Sequence, residues 1–203
     1  VLTACKNSVD ISRVTDTEVN IFPDYKHVTI PSNIAPLNFR LVELQHEKTC
    51  AVLENNSFKI TVKGKKGEFN IPASQWKELL GQTKNGDITV TVCRLVNDEW
   101  IGFKPFRISI AAEPIDSHLA YRLIAPGYTL WNQMGIYQRN LENFNESAIL
   151  ENKMTENNCM NCHTFYKHDP QQMLFHMRST YPGTYLIRGD KIEKLNTKTD
   201  QTI

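Results

Sequence analysis

Residues 85–92 run Asn-Gly-Asp-Ile-Thr-Val-Thr-Val, and this stretch decides the fold class. Its apolar side chains Ile88, Val90 and Val92 recur at every second position, which is the period of a strand with one buried face. The Asn-Gly pair in front of them is a turn sequence, because both residues tolerate positive φ. The stretch therefore predicts a β-strand that is entered through a tight turn.

The same alternation recurs on both sides of this strand. The flanking apolar triplets are Leu37, Phe39 and Leu41; Phe58, Ile60 and Val62; and Phe106, Ile108 and Ile110. Polar turn sequences separate the triplets, and one short helix is predicted at residues 75–80. Short strands at this spacing predict an immunoglobulin-like β-sandwich over residues 25–113.

Composition excludes several classes of protein. The chain has 203 residues, of which 40% are hydrophobic and 22% charged, as in ordinary globular domains. Lys and Arg number 23 against 22 Asp and Glu, so the formal charge is +1. A nucleic-acid partner is therefore not expected, because its phosphates are captured by a strongly basic surface.

The first five residues, Val-Leu-Thr-Ala-Cys, resemble the end of a bacterial lipoprotein signal peptide. In such signals small side chains precede the cysteine that receives the lipid. We therefore expect a lipid on Cys5, a polar tether over residues 1–24, and a location on the oxidising side of the bacterial cell envelope, at the outer membrane. The alternative is an ordinary apolar start.

The sharpest chemical motif is Cys159-Met-Asn-Cys162-His163. C-x-x-C-H is the attachment sequence of c-type haem, in which the two thiols bond to the vinyl groups and the histidine binds iron. Random placement of the same residues would give the motif about 0.004 times in a chain of this composition. The motif predicts one covalent haem c, with Cys159 and Cys162 as attachment points and His163 as the proximal ligand.

Three other interpretations of the motif stay open. The cysteines could form a redox-active C-x-x-C pair, or they could be a structural disulfide or two inert thiols. A zinc site would use both cysteines with two of His163, His168 and His176, although the adjacent Cys162 and His163 seldom bind one ion together.

We expect the distal haem ligand to come from the segment after the motif. Asp169-Pro170 resembles a helix start, which would place Met173 and His176 on one helix face. We expect His176 to be the distal ligand, with Met173 or Met177 as the alternative. Five-coordinate iron, suited to gas or peroxide chemistry, is the remaining possibility.

No feature of the chain predicts an enzyme. The sequence contains no phosphate loop, no nucleophile elbow and no convincing acid–base pair of carboxylates. Cys50 and Cys93 fall in predicted strands, and sequence alone leaves open whether they pair.

Several segments together resemble a known family. They are residues 121–128, Trp131, residues 134–141, residues 158–163 and residues 175–178. They are similar to the N-terminal region of exported Bacteroidota lipoproteins in which a C-x-x-C-H module precedes a TolB-like propeller of WD40-like repeats. The resemblance covers about residues 115–203. It implies an envelope lipoprotein that could bear haem, together with a propeller that binds other proteins.

These observations predict a mainly β chain with α segments. The expected order is a tether (1–24), an immunoglobulin-like β-sandwich (25–113), a small, mostly helical or irregular C-x-x-C-H module (114–190), and the start of a missing C-terminal propeller or a tail (191–203).

The expected function is electron transfer or redox sensing by a lipid-anchored c-type haem protein with envelope partners. The alternative is a haem-free scaffold lipoprotein of an outer-membrane complex, in which the two cysteines are a disulfide or a structural pair. A third interpretation is a peroxidase-like haem enzyme with an open distal face.

Overall fold

The computed structural model describes residues 9–124, 126–127 and 133–197. The chain divides into two compact units. The first comprises residues up to Ser117 together with Leu141–Phe144, and the second comprises His118–Asn140 and the residues from Asn145 onward. In the described ranges, strands dominate both units and one α-helix is present.

The first unit contains a seven-stranded sheet. Its strands are β1 (Ile11–Val14), β3 (Thr29–Ile30), β5 (Thr49–Glu54), β6 (Lys59–Lys63), β8 (Asp87–Val96), β9 (Glu99–Gly102) and β10 (Phe106–Ile110). Strand β8 is its organising element, because it pairs antiparallel with β5, β9 and β10. A two-residue turn joins β8 to β9, and both turn residues, Asn97 and Asp98, have positive φ.

A three-stranded sheet and the helix complete the core of the first unit. The sheet is formed by β2 (Ile21–Phe22), β4 (Phe39–Leu41) and β7 (Glu68–Phe69). Helix α1 (Ala73–Gln82) buries Trp76, and the indole Nε1 of Trp76 donates to the carbonyl of Ile34 at 2.9 Å. Both sheets contribute side chains to one hydrophobic core, which is compatible with the predicted β-sandwich.

The second unit consists of two antiparallel sheets. One contains β11 (His118–Leu123), β12 (Gly135–Asn140) and β13 (Glu146–Glu151). The other contains β14 (Cys159–Phe165), β15 (Gln172–Arg178), β16 (Gly183–Arg188) and β17 (Lys191–Leu195), each paired with the next in chain order. The predicted boundary at residues 190/191 thus falls inside this sheet, between β16 and β17.

The prediction of a small, mostly helical or irregular C-x-x-C-H module is wrong. The motif begins strand β14, and the segment expected to be a helix after Asp169 is strand β15. The Asp169 side chain accepts from the backbone N–H of Gln171 at 2.9 Å, so it closes a turn and does not cap a helix. Met173, Phe175 and Met177 are buried at every second position, which is the period of a strand.

Methionines form much of the core of the second unit. The buried cluster contains Met134, Ile136, Met160, Met173, Phe175 and Met177. We call the side of the β14–β17 sheet that carries Met160, Met173 and Met177 the methionine face, and the opposite side the outer face. The register of β14 against β15 assigns Met160, Cys162 and His163 of the motif to one or the other of these faces.

Candidate functional site

The C-x-x-C-H motif lies on an edge strand that is interrupted by a β-bulge. Met160 pairs with Met177 and His163 pairs with Phe175, so two residues of β14 face His176 alone on β15. The two residues are Asn161 and Cys162. A bulge bends its strand and redirects side chains locally, and edge strands are a common place for it.

The bulge separates Cys162 from His163. Directly paired residues of antiparallel strands share a sheet face, so His163 lies with Phe175 on the methionine face. The His163 ring is half-buried and packs edge-on against Phe165 at a centroid distance of 6.2 Å. Cys162 alternates to the outer face and is exposed.

The two cysteines of the motif are free thiols at the margin of disulfide geometry. Cys159 pairs with Arg178 and is half-buried beside the methionine cluster, while Cys162 lies at the level of His176. Two residue steps along a strand separate these levels by roughly 7 Å. Disulfides bridge Cα atoms about 4.4 to 6.8 Å apart, so the register places this pair near the upper limit of that range.

His176 and Met173, the two candidates for the distal ligand, lie on opposite faces of β15. The prediction that they share a helix face is wrong, because they lie on a strand and three positions along a strand reverse the face. Met173 is buried on the methionine face opposite Phe165. His176 lies on the outer face, where its Nδ1 is 3.1 Å from Oγ1 of Thr184 on the neighbouring strand.

The motif therefore does not present itself for haem as a c-type site requires. Haem c attachment needs both thiols and the following imidazole to reach the same macrocycle. Cys162 and His163 lie on opposite faces of β14, and Phe175 lies directly opposite His163. As placed in this strand, the residues do not fit covalent haem, and only the sequence motif predicts it.

The other ligand sets suggested by the sequence are not assembled either. Among the described residues, no group of three or more His, Cys, Asp or Glu side chains is placed to hold a metal ion. His168 follows Lys167 in a short 3-10 turn after β14, and both have positive φ. Cys5, predicted to carry lipid, and Trp131 lie outside the described residues.

A groove of about 610 Å³ opens on the outer face next to the motif strand. Leu174 and Leu186, which are paired across β15 and β16, form its aliphatic part. Lys167 and Arg188 supply positive charge, and the Lys167 ammonium lies 5.5 Å from the centre of the Tyr166 ring. None of the described residues that line the groove carries a carboxylate.

Sequence reasoning missed this groove. Lys167, Leu174 and Arg188 come from three different segments, and only the register of β14, β15 and β16 brings them together. The alternation of β15 was a usable signal, since it assigns Leu174 and His176 to the face opposite the methionines. The sequence gives no comparable signal for which strands are neighbours.

Two tyrosine–carboxylate pairs lie on the sheet formed by β11, β12 and β13 in the second unit. The Tyr137 hydroxyl donates to Glu151 at 2.7 Å, and Tyr121 donates to Glu146. Each hydrogen bond favours the protonated phenol, so the pKa of both tyrosines is raised. The pKa of Glu151 is lowered, first by Lys153 and then by Tyr137.

Comparisons with known proteins identify no relative of this chain. No family model, no curated protein and no solved structure matches this chain. In the described part of the chain, no helix combines the length and the apolar character needed to cross a bilayer.

Proposed function

We propose that this chain is a haem-free interaction protein of the bacterial envelope, whose groove on the outer face binds an acidic, partly apolar segment of a partner protein. The observation that carries the proposal is the composition of the groove. It combines an aliphatic floor of Leu174 and Leu186 with two cations, Lys167 and Arg188, and its described lining contains no carboxylate. Such a surface attracts a segment in which acidic and apolar residues alternate.

The arrangement of charge also suggests where that segment lies. Glu193 on β17 is the register partner of Leu186, so a carboxylate borders the groove on that side. Lys167 follows β14, the strand at the other edge of the sheet. We therefore expect the partner's acidic side chains to lie towards β14 and its apolar side chains over Leu174.

The edges of the sheet favour binding in the groove over addition of another strand. On β14 the bulge at Cys162 interrupts regular pairing, and on β17 Lys191 and Lys194 place charge on the outer edge. Bulges and lysines are the devices by which natural sheets discourage edge-to-edge pairing. Side chains in the groove, and not free backbone groups, would then determine the affinity.

The envelope location and the family resemblance are parts of the same proposal. Lipidation of Cys5 would tether the chain to the outer membrane. The resemblance of residues 115–203 to exported Bacteroidota lipoproteins with TolB-like propellers supports the envelope location. Protein binding is the function that this resemblance implies.

A defined peptide tests the groove. A fluorescein-labelled peptide of four Glu-Leu repeats should bind saturably, and a peptide of four Lys-Leu repeats should not. The double variant Lys167→Glu, Arg188→Glu should weaken binding by at least about tenfold, because it reverses both groove charges. Anisotropy at two salt concentrations provides the measurement, and added salt should weaken binding.

The matched control reverses two exposed lysines of the first unit. The variant Lys77→Glu, Lys84→Glu changes net charge by the same amount and should leave peptide affinity unchanged. Equal weakening by both double variants would show that only net charge attracts the peptide, and the groove assignment would fail.

The absence of haem has its own test. Intact mass and visible absorbance are measured on protein isolated from its native envelope. We expect lipid on Cys5, no covalent haem, and alkylation of both Cys159 and Cys162 after denaturation. A haem that survives acid extraction would overturn the haem-free assignment and restore the electron-transfer interpretation.

A further inference from the structure

The second pair of cysteines is brought together by the first unit. Cys50 on β5 and Cys93 on β8 are direct register partners, although they are far apart in sequence. Directly opposed residues of antiparallel strands have Cα atoms about 4.5 to 5.5 Å apart. Disulfides span about 4.4 to 6.8 Å between Cα atoms, so the backbone already satisfies the requirement.

The two buried thiols also affect each other. Interaction with the Cys93 side chain, together with burial, raises the pKa of Cys50, and interaction with Cys50 lowers the pKa of Cys93. The Cys93 thiol is also 3.9 Å from the carbonyl oxygen of Thr91.

We propose that Cys50 and Cys93 form a structural disulfide that joins β5 to β8. Both side chains are fully buried in the folded chain, so the bond must form before the sheet closes over them. The bond would close a loop of roughly forty residues, long enough to restrict the unfolded chain strongly.

The step is a thiol–disulfide exchange with a small oxidised disulfide such as oxidised glutathione. The thiolate of one of the two cysteines attacks one sulfur of the reagent and releases one glutathione thiolate. The thiolate of the other cysteine then attacks the mixed disulfide at the protein sulfur and releases the second glutathione thiolate. Two cysteine thiols are oxidised, one glutathione disulfide is reduced, and two protons pass to the departing thiolates.

Presence of the bond in the cell rests on the envelope location proposed above, but the pairing itself rests on register alone. The test therefore uses the purified full chain. Reduced protein is unfolded in urea and refolded with or without oxidised glutathione. Its mass, its peptide map and its melting temperature are then measured.

With glutathione we expect a loss of two hydrogens, a linked peptide pair containing Cys50 and Cys93, and protection of both from alkylation in denaturant. The melting temperature should rise by about 5 to 15 °C relative to the reduced protein. The variant Cys159→Ser, Cys162→Ser should behave identically, which excludes the other pair as the source of the mass change.

Two results would overturn the proposal. One is refolded, oxidised protein in which Cys50 and Cys93 are both still alkylated in denaturant. The other is a peptide map that links either of them to a different cysteine. The map is read on the wild-type chain, so neither result depends on whether a cysteine variant folds.

Discussion

The two pairs of cysteines differ in how they come close to each other: one pair is close in sequence, and the other is paired across two strands. Cys159 and Cys162 are three positions apart in sequence, yet strand geometry holds them roughly 7 Å apart on a bulged edge. Cys50 and Cys93 are more than forty positions apart, yet they are direct partners across two central strands. One pair is at the surface or half-buried, and the other is fully buried.

The difference shows that chemical proximity in a β protein follows register across strands. Along a strand, adjacent side chains alternate between faces, as Cys162 and His163 do. Across strands, direct partners share a face, as His176 and Thr184 do. The residues of a motif defined by spacing along the chain therefore need not lie on the same face when the motif forms a strand.

The largest expected contrast between the pairs is in alkylation rate. In native, fully reduced protein, Cys162 should react with iodoacetamide at the rate of an exposed thiol, while Cys50 and Cys93 require unfolding. We expect the buried pair to react at least about a thousandfold more slowly. Mass spectrometry of quenched time points measures both rates, and comparable rates would mean that β5 and β8 separate readily.

An inserted acidic side chain should lower the free energy of unfolding much more at the buried cysteine pair than at the pair in the motif. Cys93→Asp places a carboxyl group in a fully buried site and should cost about 3 kcal/mol or more. Cys162→Asp, at an exposed site, should change the free energy by less than about 0.5 kcal/mol. Urea unfolding followed by circular dichroism measures both, and similar losses would contradict the assigned burial.

A smaller effect is expected where register joins His176 to Thr184. Thr184→Val removes a buried hydroxyl that lies 3.1 Å from Nδ1 of His176 and 3.3 Å from Oγ1 of Thr197, and it should cost about 1 kcal/mol. Thr164→Val on the exposed part of β14 is the matched control and should be close to neutral. If the two valine variants unfold at the same urea concentration, the contact between His176 and Thr184 contributes nothing measurable.

The smallest test concerns the pH dependence of Tyr137. Glu151→Gln removes the carboxylate that accepts its hydroxyl proton, so the pKa of Tyr137 should fall back towards its ordinary value. Because folding raises this pKa, the pair stabilises the fold below the unfolded pKa, near 10, and the contribution is lost as pH rises through the folded pKa.

Ultraviolet titration of the tyrosines follows this change. Glu54→Gln is the control, since the Glu54 carboxylate faces Lys59 at 3.5 Å and not a tyrosine. A titration curve of Glu151→Gln that coincides with wild type would contradict the cross-strand hydrogen bond.

Period-two alternation predicted four strands of the first unit, β4, β6, β8 and β10, and the same alternation is present in β15. Ile88, Val90 and Val92 were assigned correctly, and Met173, Phe175 and Met177 have the same period. In front of β15 the Asp169-Pro170 pair predicts a helix, because an aspartate that begins a turn looks the same in sequence as one that caps a helix.

The candidate site was harder to predict, because spacing alone does not determine conformation. The C-x-x-C-H sequence is the same whether it forms a helix or a bulged strand. Only in the strand do the side chains of Cys162 and His163 lie on opposite faces. The groove and the Cys50–Cys93 contact depend on which strands pair. A single sequence contains the strands but not their partners.

The two-residue turn at Asn97 and Asp98 has a consequence for the order of folding. It joins the adjacent strands β8 and β9, so this hairpin can close with little loss of chain entropy. Strand β5 must return from about forty residues away and is expected to dock later. Disrupting the turn should therefore slow refolding, whereas weakening β5 should mainly accelerate unfolding.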